Sequence, residues 1–310
     1  MRIAILGATS QIAKDLVLSF HAHGTVELLL YARRPEAVKG WLSAVGFPQR
    51  YTVAEFEAFT TAEHFDAILN FIGVGNPAQF AAMGASIFDV TLQYDGLALS
   101  YVQEHPSCRY IFLSSGAAYG SNFEKPVDIL AKAQLPINNF QQQDWYGAAK
   151  LNAECRHRSL PHLPIVDIRV FNYFSHTQNM SARFLMTDVA RAIRDKTVLQ
   201  TSNDFIVRDY IHPEDFYQLV IAMLQSPATN VAVDAFSKAP IEKPALLSAL
   251  QDQFGLSYEL SQLTSDANTT GNKPHYYSLN RRASDFGFEP KLTSLEGVIL
   301  ELDKLLLPNF

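Results

Sequence analysis

The sequence predicts an α/β fold: a doubly wound parallel sheet with helices on both faces, followed by a smaller C-terminal α/β region. Three observations predict it. Short β-rich apolar runs alternate with amphipathic helical stretches through the first half of the chain. The first of these runs turns at Gly7 straight into a helix, where a Rossmann-type fold places its phosphate-cradling turn. The run Ile111–Leu113 has no polar residue, as a strand buried on both faces requires.

Taken in order, strands are expected at Arg2–Leu6, Val26–Tyr31, Ala67–Phe71, Tyr110–Leu113 and Ile165–Val170, with a weaker one near Tyr51–Val53. Helices are expected between them at Gln11–His23, Pro35–Val45, Ser86–Glu104 and Asp144–Ser159. After Asn172 the rhythm changes. A helix at Ala182–Lys196 precedes a strand-like Phe205–Ile211, a helix at Pro213–Gln225 and a strand at Val231–Ala235. Two more helices follow at Lys243–Phe254 and Ser294–Leu306, and the polar Ser265–Lys273 reads as a surface loop. The chain therefore divides into residues 1–172, a dinucleotide-binding domain, and 173–310, mainly a second domain, with about 205–235 returning to the first.

Composition narrows the function. With 310 residues and 48% apolar content, two intimately packed domains can each bury a core. A formal charge of −6 and the absence of a Lys/Arg run argue against a nucleic-acid surface. No apolar stretch approaches the ~20 residues that cross a bilayer. Cys108 and Cys155 form neither a disulfide framework nor a metal spacing, which predicts a reducing, cytoplasmic setting and no metal.

The chemistry is concentrated in a few motifs. Tyr146 and Lys150 stand one helical turn apart on one helix face. A neighbouring ammonium favours phenolate, so the pair predicts a tyrosine acid/base with its pKa pulled below ~10. Ser114 and Ser115 follow a buried strand at its carboxyl end, where α/β sheets bind ligands. A turn-capping pair is the plain alternative. In the turn Gly7–Ala13 only the first glycine of the usual three survives. Ser10 and Ala13 replace the others, and both are small enough for close backbone approach. Thr9, Ser10, Gln11 and Ile12 supply the rest of the cofactor cradle, and Phe71, Ile72, Gly73 and Leu113 line it at the ends of neighbouring strands. The second strand ends in Arg33-Arg34, with no acid to hold ribose hydroxyls. These arginines suit a 2′-phosphate, so NADP is favoured over NAD. Asn172 is either a buried cap or a cleft contact, and Arg208 either clamps a diphosphate or pairs with Asp209 or another acid.

Together these residues resemble the extended short-chain dehydrogenase/reductase family of NAD(P)-dependent sugar-nucleotide epimerases, dehydratases and reductases. The resemblance rests on Gly7–Ala13, Ser114–Gly120, Tyr146–Glu154, Val170–Asn172, Arg208–Asp215 and Leu279–Pro290, and so covers nearly the whole chain. It implies a substrate-binding role for the C-terminal domain and makes Ser115 the catalytic serine and Tyr146 the proton-transfer tyrosine. Lys150 becomes the ribose-binding lysine that lowers the tyrosine pKa, and Ser115, Asn172 and Arg208 become substrate contacts. The substrate implied is a nucleotide sugar, and homodimers form in relatives through helices beside the active-site helix. Gly116, Ala117 and Ala118 stand where dehydratases carry an acidic pair, which disfavours sugar dehydration. Lys273 stands in for a second diphosphate arginine. The expected activity is NADPH-dependent reduction of a keto sugar. A 4-epimerase with retained NAD is the first alternative, and a non-catalytic NADP(H)-sensing protein the second.

Overall fold

The computed structural model describes residues 1–24, 26–73, 82–261 and 273–306. Seven strands form one parallel sheet: β1 (Arg2–Leu6), β2 (Glu27–Tyr31), β3 (Thr52–Ala54), β4 (Ala67–Asn70), β5 (Arg109–Ser115), β6 (Ile165–Val170) and β7 (Val231–Asp234). Their order across the sheet is β7-β6-β5-β4-β1-β2-β3. Chain order reverses at β1, which pairs with β2 on one side and β4 on the other. That reversal opens a crevice at the carboxyl ends of β1 and β4.

Helices cover both faces. On one side α1 (Gln11–His23), α2 (Pro35–Ala44) and α6 (Pro213–Gln225) close a core containing Ile3, Ile5, Leu16, Val17, Phe216 and Val220. On the other, α3 (Ser86–Glu104) and α4 (Gln142–Arg158) cover Ala4, Leu6, Ile68, Tyr110 and Phe112. Alternate residues of β1 thus serve both cores, as period-two geometry demands. The helix ends follow local chemistry. Gly24 stops α1 at φ 72°, a left-handed cap. Gln141 and Asp144 form a capping box at the start of α4. The His212 side chain accepts from Glu214 N at the start of α6, with Pro213 in the first turn.

A C-terminal lobe is built from α5 (Leu185–Asp195), α7 (Lys243–Phe254) and α8 (Ser294–Leu306), which share a core including Phe174, Val189, Leu246, Leu250, Val298 and Leu302. Residues 213–234 return to the main sheet: β7 extends it beside β6, and Tyr217 of α6 meets Phe20 of α1 edge-on at 5.3 Å.

Several boundaries differ from expectation. Ser114 and Ser115 lie within β5, which continues past Leu113 because their backbones pair with Arg169 and Val170. The expected strand Phe205–Ile211 splits into Val207–Arg208 and Tyr210–Ile211, which pair into different small sheets. Val198–Ser202 and Ser257–Ser261 form a parallel pair that no local pattern signalled. The expected loop Ser265–Lys273 lies outside the described residues except for Lys273.

Candidate active site

The crevice brings together residues from four strand ends. Gly7 takes φ 84°, and a side-chain Cβ there would stand 2.9 Å from Ile72 N. Only glycine permits both the left-handed turn and this approach of β1 to β4. Gly7 N and Ala8 N both donate to Tyr31 O, which locks the turn against β2. Ser10 is the N-cap of α1, and its side chain makes no capping bond. The turn, Ile72 and the first turn of α1 meet at this point, and residue 7 has no Cβ to fill it, as the pyrophosphate site at a helix N-terminus requires. Gln11 has a second duty that its position in the motif does not reveal. Its amide donates to Asp15, Ser175 and Thr177, tying the turn to the segment that enters the C-terminal lobe.

Arg33 and Arg34 are exposed just beyond β2, and no acid replaces them there. On the far side of the crevice, a Cβ on Gly73 would touch Lys150 Nζ at 3.4 Å. Lys150 is buried; its ammonium donates to Leu113 O at 2.7 Å and stands 4.3 Å from the Phe112 ring centroid. The expected cofactor residues at the ends of β1, β4 and β5 therefore meet in space.

Ser115 is 7% exposed, and its Oγ accepts from Ala117 N at 3.2 Å. Gly116 has to be glycine, since a Cβ would lie 2.4 Å from the Phe171 ring. Gly147 lets α4 approach equally closely, since a Cβ there would fall 2.3 Å from Ala117 O. These two contacts set the serine strand against the tyrosine helix. Tyr146, half-buried, hydrogen-bonds to Ser115. Ser114, by contrast, points away and donates to Glu154, so it serves the structure.

One electrostatic expectation is corrected. The Tyr146 pKa is not depressed in this structure; burial raises it against the Ser115 hydrogen bond. The ammonium is 5.9 Å from the Tyr146 ring centroid and is itself weakened: burial lowers Lys150 to about 8 against the pull of Asp95, Glu154 and Asp167. Removal from water favours the neutral phenol.

Around Tyr276 the cleft is cationic. Arg208 Nη1 donates to the carbonyls of Val207 and Lys273, both at 2.8 Å, and not to Asp209, which instead accepts from Ser237 and Ser294. Lys273 Nζ stands 4.8 Å from the Tyr276 ring centroid. Burial and the nearby Arg208 lower its pKa to about 8. Neither cation has a salt-bridge partner among the described residues. The Asn172 amide donates to the carbonyls of Asp209 and Tyr276, so its donors tether backbone. Sequence reasoning missed Tyr276 altogether. Its hydroxyl lies 3.3 Å from Ser115 Oγ, across 161 positions of chain, a separation at which no local pattern can signal contact. Among the described residues no group of three or more His, Cys, Asp or Glu could hold a metal, and no helix is long and apolar enough to cross a membrane.

Fold and crevice define a dinucleotide-dependent α/β enzyme. The model of the NAD dependent epimerase/dehydratase family matches residues 3–237, and the chain belongs to that family of NAD-dependent enzymes. Solved structures of the same fold cover essentially the whole length. UDP-glucose-4-epimerase from Stenotrophomonas maltophila, with bound NAD and formylated UDP-arabinopyranose, aligns at a TM-score of 0.81 and 16% identity, covering 99% of this chain and 98% of that one. UDP-glucuronic acid 4-epimerase from Bacillus cereus, in complex with UDP-4-deoxy-4-fluoro-glucuronic acid and NAD, aligns at 0.79 and 16% identity, covering 98% and 99%. dTDP-glucose 4,6-dehydratase from Bacillus anthracis, in complex with NAD, aligns at 0.77 and 15% identity, covering 98% and 96%. Comparison with curated proteins returns no match.

Proposed function

We propose that this chain is an NAD(P)-dependent oxidoreductase acting on a nucleotide-linked sugar, most simply by reducing a keto group. The observation that carries the reading is the convergence of Ser115, Tyr146 and Lys150 at the carboxyl end of β5. When bound, the nicotinamide supplies hydride. Ser115 donates a hydrogen bond to the sugar's keto oxygen, and Tyr146 gives that oxygen its proton. Lys150 holds the nicotinamide ribose and replaces the lost proton's charge beside Tyr146. Gly7 keeps the turn open, Thr9, Ser10, Gln11 and Ile12 line the pyrophosphate at the start of α1, and Phe71, Ile72, Gly73 and Leu113 form the walls. Arg208 and Lys273, cationic and without acid partners among the described residues, take the diphosphate, and residues 173–310 supply most of that substrate lobe. Arg33 and Arg34 favour NADP(H). The protein works in the cytoplasm as a homodimer paired through helices beside the active-site helix α4.

A 4-epimerase is the second reading. The run Ser115-Gly116-Ala117-Ala118-Tyr119 lacks a dehydratase's acidic pair, and two solved structures of this fold are UDP-sugar 4-epimerases. Stoichiometry separates the two. With a dTDP-linked 4-keto-6-deoxy sugar, a reductase consumes one NADPH per sugar; with UDP-glucose, an epimerase equilibrates product with no net cofactor change. In either case Tyr146→Phe is expected to lower kcat by about 10²–10⁴-fold while NADPH still binds. Full turnover by this variant removes the assignment.

A further inference from the structure

Two phenols converge on one serine. Tyr146 hydrogen-bonds to Ser115 from α4, and Tyr276 approaches the same Oγ at 3.3 Å from the C-terminal side. Ser115 already accepts from Ala117 N, so its single proton is available to one outside acceptor. Tyr276 is held on several sides. Its ring is flanked by Phe123 at 4.8 Å and Phe171 at 5.2 Å. Its carbonyl accepts from Asn172 Nδ2 at 3.2 Å, and its backbone pairs with Arg208 in a short parallel ladder. Among the described residues no carboxylate or imidazole bonds its hydroxyl, whose partners are Ser115 and the Ala117 backbone. Burial holds that proton well above the usual tyrosine range. Such a group is poorly suited to be a base and well suited to be a fixed donor.

We propose that Tyr276 is a second hydrogen-bond donor to the reacting sugar oxygen, sharing it with Ser115 while Tyr146 alone moves the proton. The inference rests on the reading above that Ser115 and Tyr146 meet that oxygen. In the reducing direction a C–H bond forms from hydride supplied by a bound nicotinamide. The π electrons of the carbonyl move to oxygen, and the Tyr146 proton follows them. Tyr276 keeps its own proton and stabilises the charge as it develops. Because Tyr276 comes from the segment that also carries Lys273, the donor reaches the oxygen only when this part of the substrate lobe is seated against β5. Catalysis is thereby tied to the lobe that reads the substrate.

The test compares wild type, Tyr276→Phe and Tyr146→Phe. Steady-state kinetics use a dTDP-linked 4-keto-6-deoxy sugar with NADPH, and UDP-glucose and UDP-glucuronic acid with NAD. Tyr276→Phe keeps the ring packing, so its melting temperature and NADPH fluorescence titration should match wild type. Its kcat should fall about 10²-fold with KM changed less than about threefold, the pattern of an interaction made chiefly in the transition state. Both limbs of its pH–rate profile should coincide with those of wild type, because Tyr276 does not titrate in turnover. A residue that merely shapes the site would move KM and melting temperature together. If kcat of Tyr276→Phe stays within threefold of wild type, or the loss lies wholly in KM, the inference is wrong and the assigned function stands. If Tyr146→Phe is active and Tyr276→Phe dead, the two roles are reversed and the inference also fails. If wild type turns over none of these substrates, the functional reading falls and takes this inference with it.

Discussion

Two charged regions, one packed between α4 and β6 and one in the cleft, obey different rules. Beneath the sheet's carboxyl end, every charge is answered. Arg169 binds Glu154 and Tyr119 and reaches Asp234 at 3.4 Å; Asp234 also accepts from Tyr119 and Ser278. His157, fully buried, lies between Asp95 at 2.7 Å and Asp167 at 2.6 Å, and Arg156 and Arg158 complete the carboxylates. In the cleft, Arg208 and Lys273 stand close together over one tyrosine ring, with carbonyls rather than carboxylates around Arg208. Buried charge is tolerable when paired. Cations left without acids are costly unless an anion arrives. The first arrangement fixes β5, β6, β7 and α4 to one another; the second suits a ligand's diphosphate. Lys150 sits on the border, feeling Asp95, Glu154 and Asp167 from below while facing the crevice.

Breaking the paired region should have the largest effect. Arg169→Met leaves the Glu154 and Asp234 carboxylates without their cation, at a cost of about 3–5 kcal/mol of unfolding free energy in urea titrations. A change below 1 kcal/mol would mean the network is not the clamp described. His157 gives a pH-dependent version. Burial alone would lower its pKa, but Asp167 and Asp95 raise it from 6.5 to about 9. The folded chain therefore holds the proton more tightly than the unfolded one. The resulting stabilisation is fully present below about pH 6.5 and is lost as pH rises through about 9, a difference of roughly 3 kcal/mol at most. His157→Gln should flatten the dependence of urea midpoint on pH across this window; an unchanged slope would show that other groups set it. The smallest effect belongs to the cofactor end. Replacing Arg33 and Arg34 together by serine should reduce the NADPH over NADH preference about tenfold, or ~1.4 kcal/mol, by fluorescence titration. No loss of preference would show that the two arginines are merely solvated.

Much of the frame was legible because its causes are local. Gly7, the alternating apolar runs and the His212-Pro213-Glu214 helix start each declare themselves within a few residues. The nearness of Ser115, Tyr146 and Lys150 was legible in the same way, through motif spacing. What escaped depends on contacts across the chain. Tyr276 gains its place from Ser115 and Asn172, neither near it in sequence. His157 owes its buried place to Asp95 and Asp167, which close over it from other elements. The Phe205–Ile211 run looked like one strand because pattern alone does not reveal that Asp209 bends out to cap Ser237 and Ser294. The Tyr146 pKa reversed for a related reason: helical spacing fixes which residues are neighbours, while desolvation depends on what surrounds them.

The return of β7 to the edge of the sheet has a practical meaning for anyone dividing this gene. Val231–Asp234 supplies the outermost rung beside β6, and Asp234 is a counter-ion of Arg169. A fragment stopped after residue 172 would bare a long hydrophobic edge and strand a buried guanidinium, an invitation to self-association. The first lobe is completed by a strand and a counter-ion that arrive from the second half of the chain.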